Sequence, residues 1–212
     1  MALALAGLMI FGLWGCSAKP GAPEVTTDAA ETTAADPGAL FVQRIFDYSG
    51  PFMEDGSDKE VKNIVAAVLV NTTPTDYEYV EFCVNTDKGT HSFTASGIRA
   101  GSTVTVLCQN KDKFEKDEAM KDFTIDAKAE YAAPPAVPED VFEVYYTGAN
   151  VSVKNIGTKD LTDLCVYYKQ TNDEGFLGGI TYRTRIPALK AGEITQLNGE
   201  HMDAIINITY HE

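Results

Sequence analysis

The sequence predicts an all-β fold in which two tandem β-sandwich domains follow an apolar N-terminal segment and a flexible tether. Apolar and polar residues alternate with period two over most of the chain beyond Leu40, a pattern typical of strands with one buried face. Turn signals such as Asp55-Gly56 and Asp173-Glu174-Gly175 separate these stretches. With 44% apolar residues, the 212-residue chain is rich enough in apolar side chains to fold around a core.

The clearest predicted strand is Phe123–Tyr131, where odd positions are apolar and even positions are polar. The same alternation occurs in three further segments, Val104–Val106, Val151–Val153 and Ile206–Tyr210. Residues 113–122 are the one stretch that looks helical, and they are short and charged. We therefore expect strands to make up nearly all of the regular structure.

The pattern of strands and turns occurs twice, on either side of the Pro-rich segment 134–138. Each copy has an Asn turn after a strand, then a strand with a central Cys, then an Ala-Gly turn. These elements are Asn71, Cys83 and Ala100-Gly101 in the first half, and Asn155, Cys165 and Ala191-Gly192 in the second. A repeat of about 75 to 95 residues has the size of an immunoglobulin-like sandwich. The predicted domains are therefore 40–133 and 139–212, with 134–138 as the linker.

Four segments of the second half carry a likeness to a known family. They are Val151–Asn155, Cys165–Tyr168, Gly175–Arg183 and Leu189–Glu193. They resemble the small immunoglobulin-like domains of the FxLYD type, which occur in lipoproteins of Gram-positive bacteria. The resemblance covers residues 141–212, and the first half fits it through the internal repeat. Because these motifs specify strands and turns, the resemblance implies a fold and no particular activity.

The N-terminal residues 1–15 are almost wholly apolar, and they end in Leu13-Trp14-Gly15 directly before Cys16. The run is too short to span a bilayer and has the length of a secretory signal before its cleavage site. It resembles the lipobox of bacterial lipoproteins. The resemblance implies that 1–15 is a signal peptide and that Cys16 carries a diacylglyceryl group after cleavage. We therefore expect a protein that is lipid-anchored on the extracytoplasmic face of a cell membrane.

Residues 16–39 are predicted to form the lipidated Cys16 and a flexible acidic tether. Ala, Thr, Pro, Gly and acidic residues dominate this stretch, which therefore has too little apolar surface to offset the entropy of ordering. As a random coil it spans on the order of 26 Å. The whole chain has a formal charge of −14, which argues against nucleic acid as a partner and against electrostatic adhesion to anionic lipid.

The three remaining cysteines leave two alternatives open. A disulfide between Cys83 and Cys108 would staple the first domain, and an extracytoplasmic compartment permits it. Such a bond would close a loop of about 25 residues and contribute on the order of 3 kcal/mol. Against it, Cys165 occupies the repeat position of Cys83, whereas Asn198 occupies that of Cys108. Small half-buried thiols account for the same pattern.

No metal site, cofactor site or catalytic residue is predicted. His91, His201 and His211 are far apart, and no CxxC or HxxxH spacing accompanies them. The acidic loop 54–60 matches no calcium-binding spacing, and we expect a solvated hairpin tip there. The acid pair Asp117-Glu118 lies in a charged stretch, where solvent would leave the carboxyl pKa values unshifted.

Tyrosines are the most suggestive surface residues. Tyr145-Tyr146 and Tyr167-Tyr168 are adjacent pairs on predicted strands, so one member of each pair should face away from the core. An outward tyrosine is able to stack on a sugar or anchor a protein contact. The alternative is that it packs on a neighbouring strand or domain.

These observations favour a non-enzymatic binding or structural module that presents strands and loops to an extracellular protein, a cell-wall component or a glycan. The alternative is an accessory subunit that holds an exported enzyme or transporter near the membrane. A solute-binding protein of two α/β lobes is disfavoured, because the sequence lacks the helices such lobes need.

Overall fold

The computed structural model describes residues 38–148, 150–197 and 202–212. The predicted signal peptide, Cys16, Asn198, His201 and all but the last two residues of the predicted tether lie outside this part of the chain. Within it the regular structure consists of strands, which confirms the all-β prediction. They are β1 Leu40–Phe52, β2 Lys59–Asn71, β3 Tyr77–Thr86, β4 Thr90–Ile98, β5 Thr103–Leu107, β6 Met120–Glu130, β7 Phe142–Thr147, β8 Asn150–Asn155, β9 Leu161–Asn172, β10 Gly175–Leu189, β11 Ile194–Gln196 and β12 Ala204–His211.

One six-stranded sheet, in the order β1-β2-β5-β10-β9-β12, contains strands from both halves of the chain. Two three-stranded sheets, β4-β3-β6 and β11-β8-β7, belong to the first and second halves respectively. The halves meet where β5 and β10 run parallel, with Val104 opposite Phe176 and Thr105 opposite Leu177. All described residues belong to one compact unit. The division into independently folding domains 40–133 and 139–212 stays a prediction.

Two apolar cores of the described residues lie between these sheets, and a smaller cluster is formed by Phe52, Ile64, Ala66 and Leu107. The first joins side chains of β1, β2 and β5 to those of β3 and β4, and Phe82 and Phe93 stack in it with ring centroids 4.9 Å apart. The second joins β9 and β12 to β7 and β8, with Phe142 edge-on to Tyr210 at 5.2 Å. Burial of each large apolar side chain contributes about 1.5–3 kcal/mol. The packing of sheet on sheet is like that of a β-sandwich.

The predicted strands are confirmed, with one refinement. The segments predicted from alternation form β5, β6, β8 and β12. In β6 the apolar side chains of Phe123 and Ile125 are half buried against the first core, whereas Ala127 and Ala129 are exposed. Strand β6 therefore lies over the core at its beginning and extends past it at its end.

The helical expectation for residues 113–122 is wrong. This segment contains turns, an isolated bridge between Lys113 and Ile64, and the start of β6 at Met120. The backbone N–H of Phe114 donates to the carbonyl of Asn63 at 3.0 Å, and the Asn63 side chain returns a bond to the Phe114 carbonyl. These bonds to β2 replace the local bonds that a helix would form.

The connection at 134–138 is irregular and lies along β12. The carbonyl of Ala136 accepts from the backbone N–H of Ile208 at 3.0 Å, and the N–H of Ala136 donates to the Asn207 side chain. Within the described ranges, no helix is long and apolar enough to cross a membrane.

Candidate functional site

A large bulge in β10 lies at the centre of the candidate site. Leu177 pairs with Gln170 and Tyr182 pairs with Tyr168, so four residues of β10, Gly178–Thr181, lie opposite the single residue Lys169 of β9. A bulge of this kind releases backbone groups from the ladder and redirects the strand. Those groups need other partners because they lie in the interior of the protein.

Two charged side chains from different halves of the chain satisfy the bulge. The ammonium of Lys169 donates to the carbonyls of Ile180, at 2.8 Å, and Gly178, at 3.4 Å. The carboxylate of Glu54, from the β1–β2 turn, accepts from the N–H of Gly179 at 2.9 Å and from the N–H of Leu107 in β5 at 2.8 Å. The expectation of a solvated tip for the acidic loop is thus partly wrong, because its first carboxylate points inward.

Burial shifts the pKa of both groups toward neutrality. It raises the pKa of Glu54 to about 7, although bonds from Leu107 and Gly179 and the charge of Lys169 oppose the change. Lys169 is fully buried, and desolvation lowers its pKa to about 7 against the attraction of Glu54. Each charge stabilises the charged form of the other group, whereas burial destabilises the charged forms of both.

Two glycines allow the bulge to approach the first half closely. A Cβ on Gly179 would lie 2.0 Å from the carbonyl oxygen of Thr94 in β4. Gly178 has a φ of +77°, and a Cβ there would lie 2.7 Å from Cβ of Met53. The hydroxyl of Ser96 donates to the Gly179 carbonyl at 3.0 Å. Backbone contact therefore joins β10 to β4 at this point, and any side chain at either glycine would force them apart.

A cleft of about 500 Å³ opens beside the bulge. Its walls carry hydroxyl groups from Thr94, Ser96 and Thr181, the amide of Gln109 and the ring of Tyr79. Thr94 and Ser96 come from β4, whereas Thr181 comes from β10, so both halves of the chain build the cleft. Its volume lies in the range of about 300–1,000 Å³ typical of small-molecule sites.

The charges at the cleft are acidic. Glu54 and Asp55 line it, and Asp55 pairs with the ammonium of Lys111 at 3.2 Å. Phe52 also contacts the cleft, but its ring is buried and is covered by the ammonium of Lys111 at 4.1 Å. This combination of one aromatic ring, hydroxyls, an amide and carboxylates accepts an uncharged polyhydroxylated ligand better than an anionic one.

A second cluster of titratable groups surrounds His91 on β4. Its Nδ1 lies 3.0 Å from Oδ2 of Asp112, and its Nε2 lies 2.7 Å from Oε1 of Glu118. The hydroxyl of Thr86 donates to the same Glu118 oxygen at 2.8 Å. The thiol of Cys108 lies 3.4 Å from Oδ2 of Asp112. His91, Cys108 and Glu118 are buried, and Asp112 is half buried.

This cluster overturns the expectation that Glu118 is solvated. Burial alone would raise the pKa of Glu118, but bonds from the Glu115 backbone, His91 and Thr86 lower it overall. Burial likewise opposes the charged form of His91, and the bonds to Asp112 and Glu118 outweigh it, so the pKa of His91 is raised. The fold brings together a histidine and two carboxylates that the sequence separates.

The three cysteines of the folded part are free thiols in the structure. Cys83 Sγ lies 3.5 Å from the hydroxyl of Ser92, and Cys108 contacts Asp112 as described. Cys165 lines a second cleft, of about 520 Å³, with Arg183, Arg185, Asp163 and His211.

The four tyrosines predicted as an interaction surface occupy different environments. Tyr146 is the most exposed, at 53%, and its hydroxyl accepts from the N–H of Ile205. Tyr145 and Tyr167 are half buried. Tyr168 is buried and stacks on Tyr182 with ring centroids 5.5 Å apart. The prediction that they form an interaction surface remains untested.

Comparison with models of known protein families, with curated proteins and with solved structures finds no match to this chain.

Proposed function

We propose that this protein is a lipid-anchored, extracytoplasmic binding module without enzymatic activity, and that the cleft beside the β10 bulge binds a neutral glycan segment of the cell wall. The observation that carries the proposal is the joint construction of the cleft. Thr94 and Ser96 of the first half and Thr181 of the second half line it together, and the hydroxyls of Ser96 and Thr181 are hydrogen-bonded to each other at 3.1 Å. Glu54 and Lys169 hold the backbone beside them.

The chemistry of the lining supports a neutral, hydroxyl-rich ligand. Tyr79 offers a ring for stacking on the apolar face of a sugar. The Gln109 amide bonds to Thr94, and the hydroxyls of Ser96 and Thr181 bond to each other, but each of these groups keeps donor or acceptor positions for a ligand. The acidic residues at the cleft and the net charge of −14 disfavour anionic wall polymers. Wall glycan is therefore a better ligand than teichoic acid.

The N-terminal sequence supports the location. Diacylglyceryl transfer to Cys16 would anchor the chain, because each buried methylene contributes about 0.8 kcal/mol. The predicted tether 16–39 would hold the folded part away from the bilayer.

The internal repeat supports a finer description of the fold. We propose that the halves 40–133 and 139–212 are tandem immunoglobulin-like sandwiches of the FxLYD type, each with its own apolar core. In this description the six-stranded sheet arises where one sheet of each sandwich joins the other through β5 and β10.

The test is co-sedimentation of the lipid-free chain with purified peptidoglycan from which anionic polymers have been removed. Tyr79→Ala should weaken retention about tenfold, equivalent to about 1.4 kcal/mol, because it removes the stacking ring. Tyr145→Ala is the matched control. Both tyrosines are half buried and donate to a glutamate two residues away, Glu81 and Glu143 respectively, but Tyr145 lies outside the cleft.

Equal retention of wild type and Tyr79→Ala would contradict the cleft as the glycan site. Loss of retention in Tyr145→Ala alone would indicate that the glycan binds to the second half of the chain. No retention of the wild-type chain would exclude the glycan.

The accessory-subunit alternative has its own support in exposed apolar side chains of the second half. Ile194 on β11 is 55% exposed, and Ile156 after β8 is 44% exposed. Capture of one stoichiometric exported protein from native envelope, lost on Ile194→Ser and retained on Tyr79→Ala, would favour that role.

A further inference from the structure

The cluster around His91 contains three kinds of metal-ligating atom in a space of a few ångströms. An imidazole nitrogen of His91, the thiol sulfur of Cys108 and a carboxylate oxygen of Asp112 all lie within 4.8 Å of one another. They come from β4 and from the segment that follows β5. These residues take no part in the cleft.

The distances within this group fit tetrahedral coordination. Bonds of about 2.0–2.3 Å to nitrogen, oxygen and sulfur at tetrahedral angles place neighbouring ligand atoms about 3.3–3.6 Å apart. His91 Nδ1 lies 3.0 Å from Asp112 Oδ2, and Cys108 Sγ lies 3.4 Å from the same oxygen. These two distances therefore lie within a few tenths of an ångström of that spacing, and the third, between His91 and Cys108, is at most 4.8 Å.

The surroundings of His91 are those of a metal-ligating histidine. A histidine that binds a metal through one nitrogen usually donates its other N–H to a carboxylate, which fixes the orientation of the ring. Nε2 of His91 lies 2.7 Å from Oε1 of Glu118, and this places Nδ1 toward Asp112 and Cys108. Glu118 is itself held by the Thr86 hydroxyl and by the N–H of Glu115 at 3.0 Å.

We propose that His91, Cys108 and Asp112 form a zinc-binding site, with Glu118 as the positioning residue for His91 and water as the fourth ligand. The mixed nitrogen, sulfur and oxygen donors select Zn²⁺ over Mg²⁺ and Ca²⁺, which need oxygen ligands throughout. The Asp112 side chain is 36% exposed, so solvent reaches the side on which the fourth ligand would bind. Binding releases the thiol proton of Cys108, because the thiolate is the ligand.

A bound ion would tie β4 to the segment that follows β5. The carbonyl of Asp112 accepts from the N–H of Val65 in β2, and the N–H of Cys108 donates to the Val65 carbonyl, each at 2.9 Å. Zinc would therefore connect the short three-stranded sheet to the six-stranded sheet through residues whose backbone is already fixed. This site stabilises the first half and is independent of ligand binding in the cleft.

The experiment uses the full lipid-free chain, treated with a chelator and kept reduced. Titration with Co²⁺ should give a thiolate-to-metal charge-transfer absorption that saturates at one ion per chain, and Zn²⁺ should displace it. X-ray absorption of the zinc-loaded wild-type chain should detect one sulfur at about 2.3 Å, a measurement that needs no variant.

Three variants test the assignment. Cys108→Ser should lose the charge-transfer band, and Cys83→Ser is the matched control, since Cys83 is also a free thiol of the first half but contacts Ser92. Glu118→Gln should weaken zinc binding by about 10–100-fold while the charge-transfer band remains. Circular dichroism establishes that each variant is folded.

Several results would overturn the site. They are a cobalt complex without the charge-transfer band, zinc without a sulfur neighbour, equal zinc affinity of Cys108→Ser and the wild type, or a Cys83–Cys108 disulfide in the chain as isolated from its native compartment.

Discussion

Asn71 and Asn155 make the same set of hydrogen bonds in the two halves of the protein. Each is fully buried at the end of a strand. Nδ2 of Asn71 donates to the carbonyls of Thr75 and Arg99 at 2.8 and 3.0 Å, and Nδ2 of Asn155 donates to those of Lys159 and Leu189 at 2.8 and 3.1 Å. In both cases the first acceptor lies four residues along the chain.

The likeness extends to the turns that these asparagines support. Oδ1 of Asn71 accepts from the N–H of Thr73, and Oδ1 of Asn155 accepts from that of Gly157. The two Ala-Gly turns are capped alike. The N–H of Ala100 donates to Asp76, and that of Ala191 donates to Asp160. These shared bonds in two distant stretches of the chain support the proposed internal repeat.

We expect Asn155→Ala to destabilise the protein by about 2–3 kcal/mol, because it leaves the carbonyls of Lys159 and Leu189 without their donor. Asn71→Ala should cost a similar amount for the same reason. Urea unfolding followed by circular dichroism measures both free energies of unfolding.

Asn172→Ala is the control for this prediction. The Asn172 side chain is exposed, accepts from the N–H groups of Glu174 and Gly175 in the β9–β10 turn and donates to the Thr105 hydroxyl at 3.3 Å. Because water replaces these bonds readily at an exposed position, its loss should cost about 0.5–1 kcal/mol. A cost for Asn155→Ala no greater than that of the control would show that these buried bonds contribute little.

Lys169→Met should destabilise the protein by about 3 kcal/mol at neutral pH, because it removes the donor to Ile180 and Gly178 and leaves Glu54 without its cation. The deficit should grow above about pH 7. The pKa of Glu54 in the folded protein is raised to about 7. Its contribution to the free energy of unfolding is therefore complete at pH values below its pKa in the unfolded chain, and it is lost as the pH rises through 7. The pKa of Lys169 in the folded protein is lowered to about 7. Its contribution to the free energy of unfolding therefore increases above that pH, and only the wild type has this contribution.

The measurement is urea unfolding of both proteins at about pH 6 and about pH 8.5, where one pH unit corresponds to about 1.4 kcal/mol per proton. Lys121→Met is the control, since it removes the same charge from an exposed position on β6. Equal deficits of Lys169→Met at the two pH values would contradict a folded-state pKa of Lys169 near 7.

Strands and turns were accessible from the sequence because they depend on local patterns. Alternation predicted β5, β6, β8 and β12, and Asn71 and Asn155 marked equivalent positions of the repeat. No local pattern in the sequence predicted the pairing of β5 with β10. A parallel pairing of two short segments about 70 residues apart is decided by packing, and alternation says which face of a strand is buried but not which strand lies beside it.

The charged residues of the interior could not be predicted for a related reason. Lys169 follows Tyr167-Tyr168 in a strand and Glu118 lies among charged neighbours, so the local pattern favours an exposed position for both. Their burial depends on a bulge and on a turn that contacts β2 and β4. The one local hint to the His91 cluster was Cys108 four residues before Asp112. A single pair at that spacing does not predict a metal site, because such a site needs three or four ligands that converge.

Cys16→Ser should abolish lipid anchoring and leave uncleaved precursor. The N-terminal segment resembles the lipobox of bacterial lipoproteins, in which diacylglyceryl transfer to the cysteine precedes cleavage, here after Gly15. Labelling with a fatty-acid probe and electrophoretic mobility measure the two effects. Cys165→Ser is the control and should be labelled and cleaved as the wild type is. Continued labelling of Cys16→Ser would refute the anchor.

The fragment 137–212 should fold alone, with a β-type circular dichroism spectrum and cooperative unfolding, because the second core is built from its own strands. It should be less stable than the whole chain, since β10 loses its pairing with β5 and Glu54 is absent. Lys169 then gains access to water where Gly97 of the first half covers it, so Lys169→Met should cost under about 0.5 kcal/mol in the fragment. A molten or helical spectrum would refute the domain boundary. A cost as large as in the whole chain would mean that the second half buries Lys169 by itself, and that the first half is not what lowers its pKa.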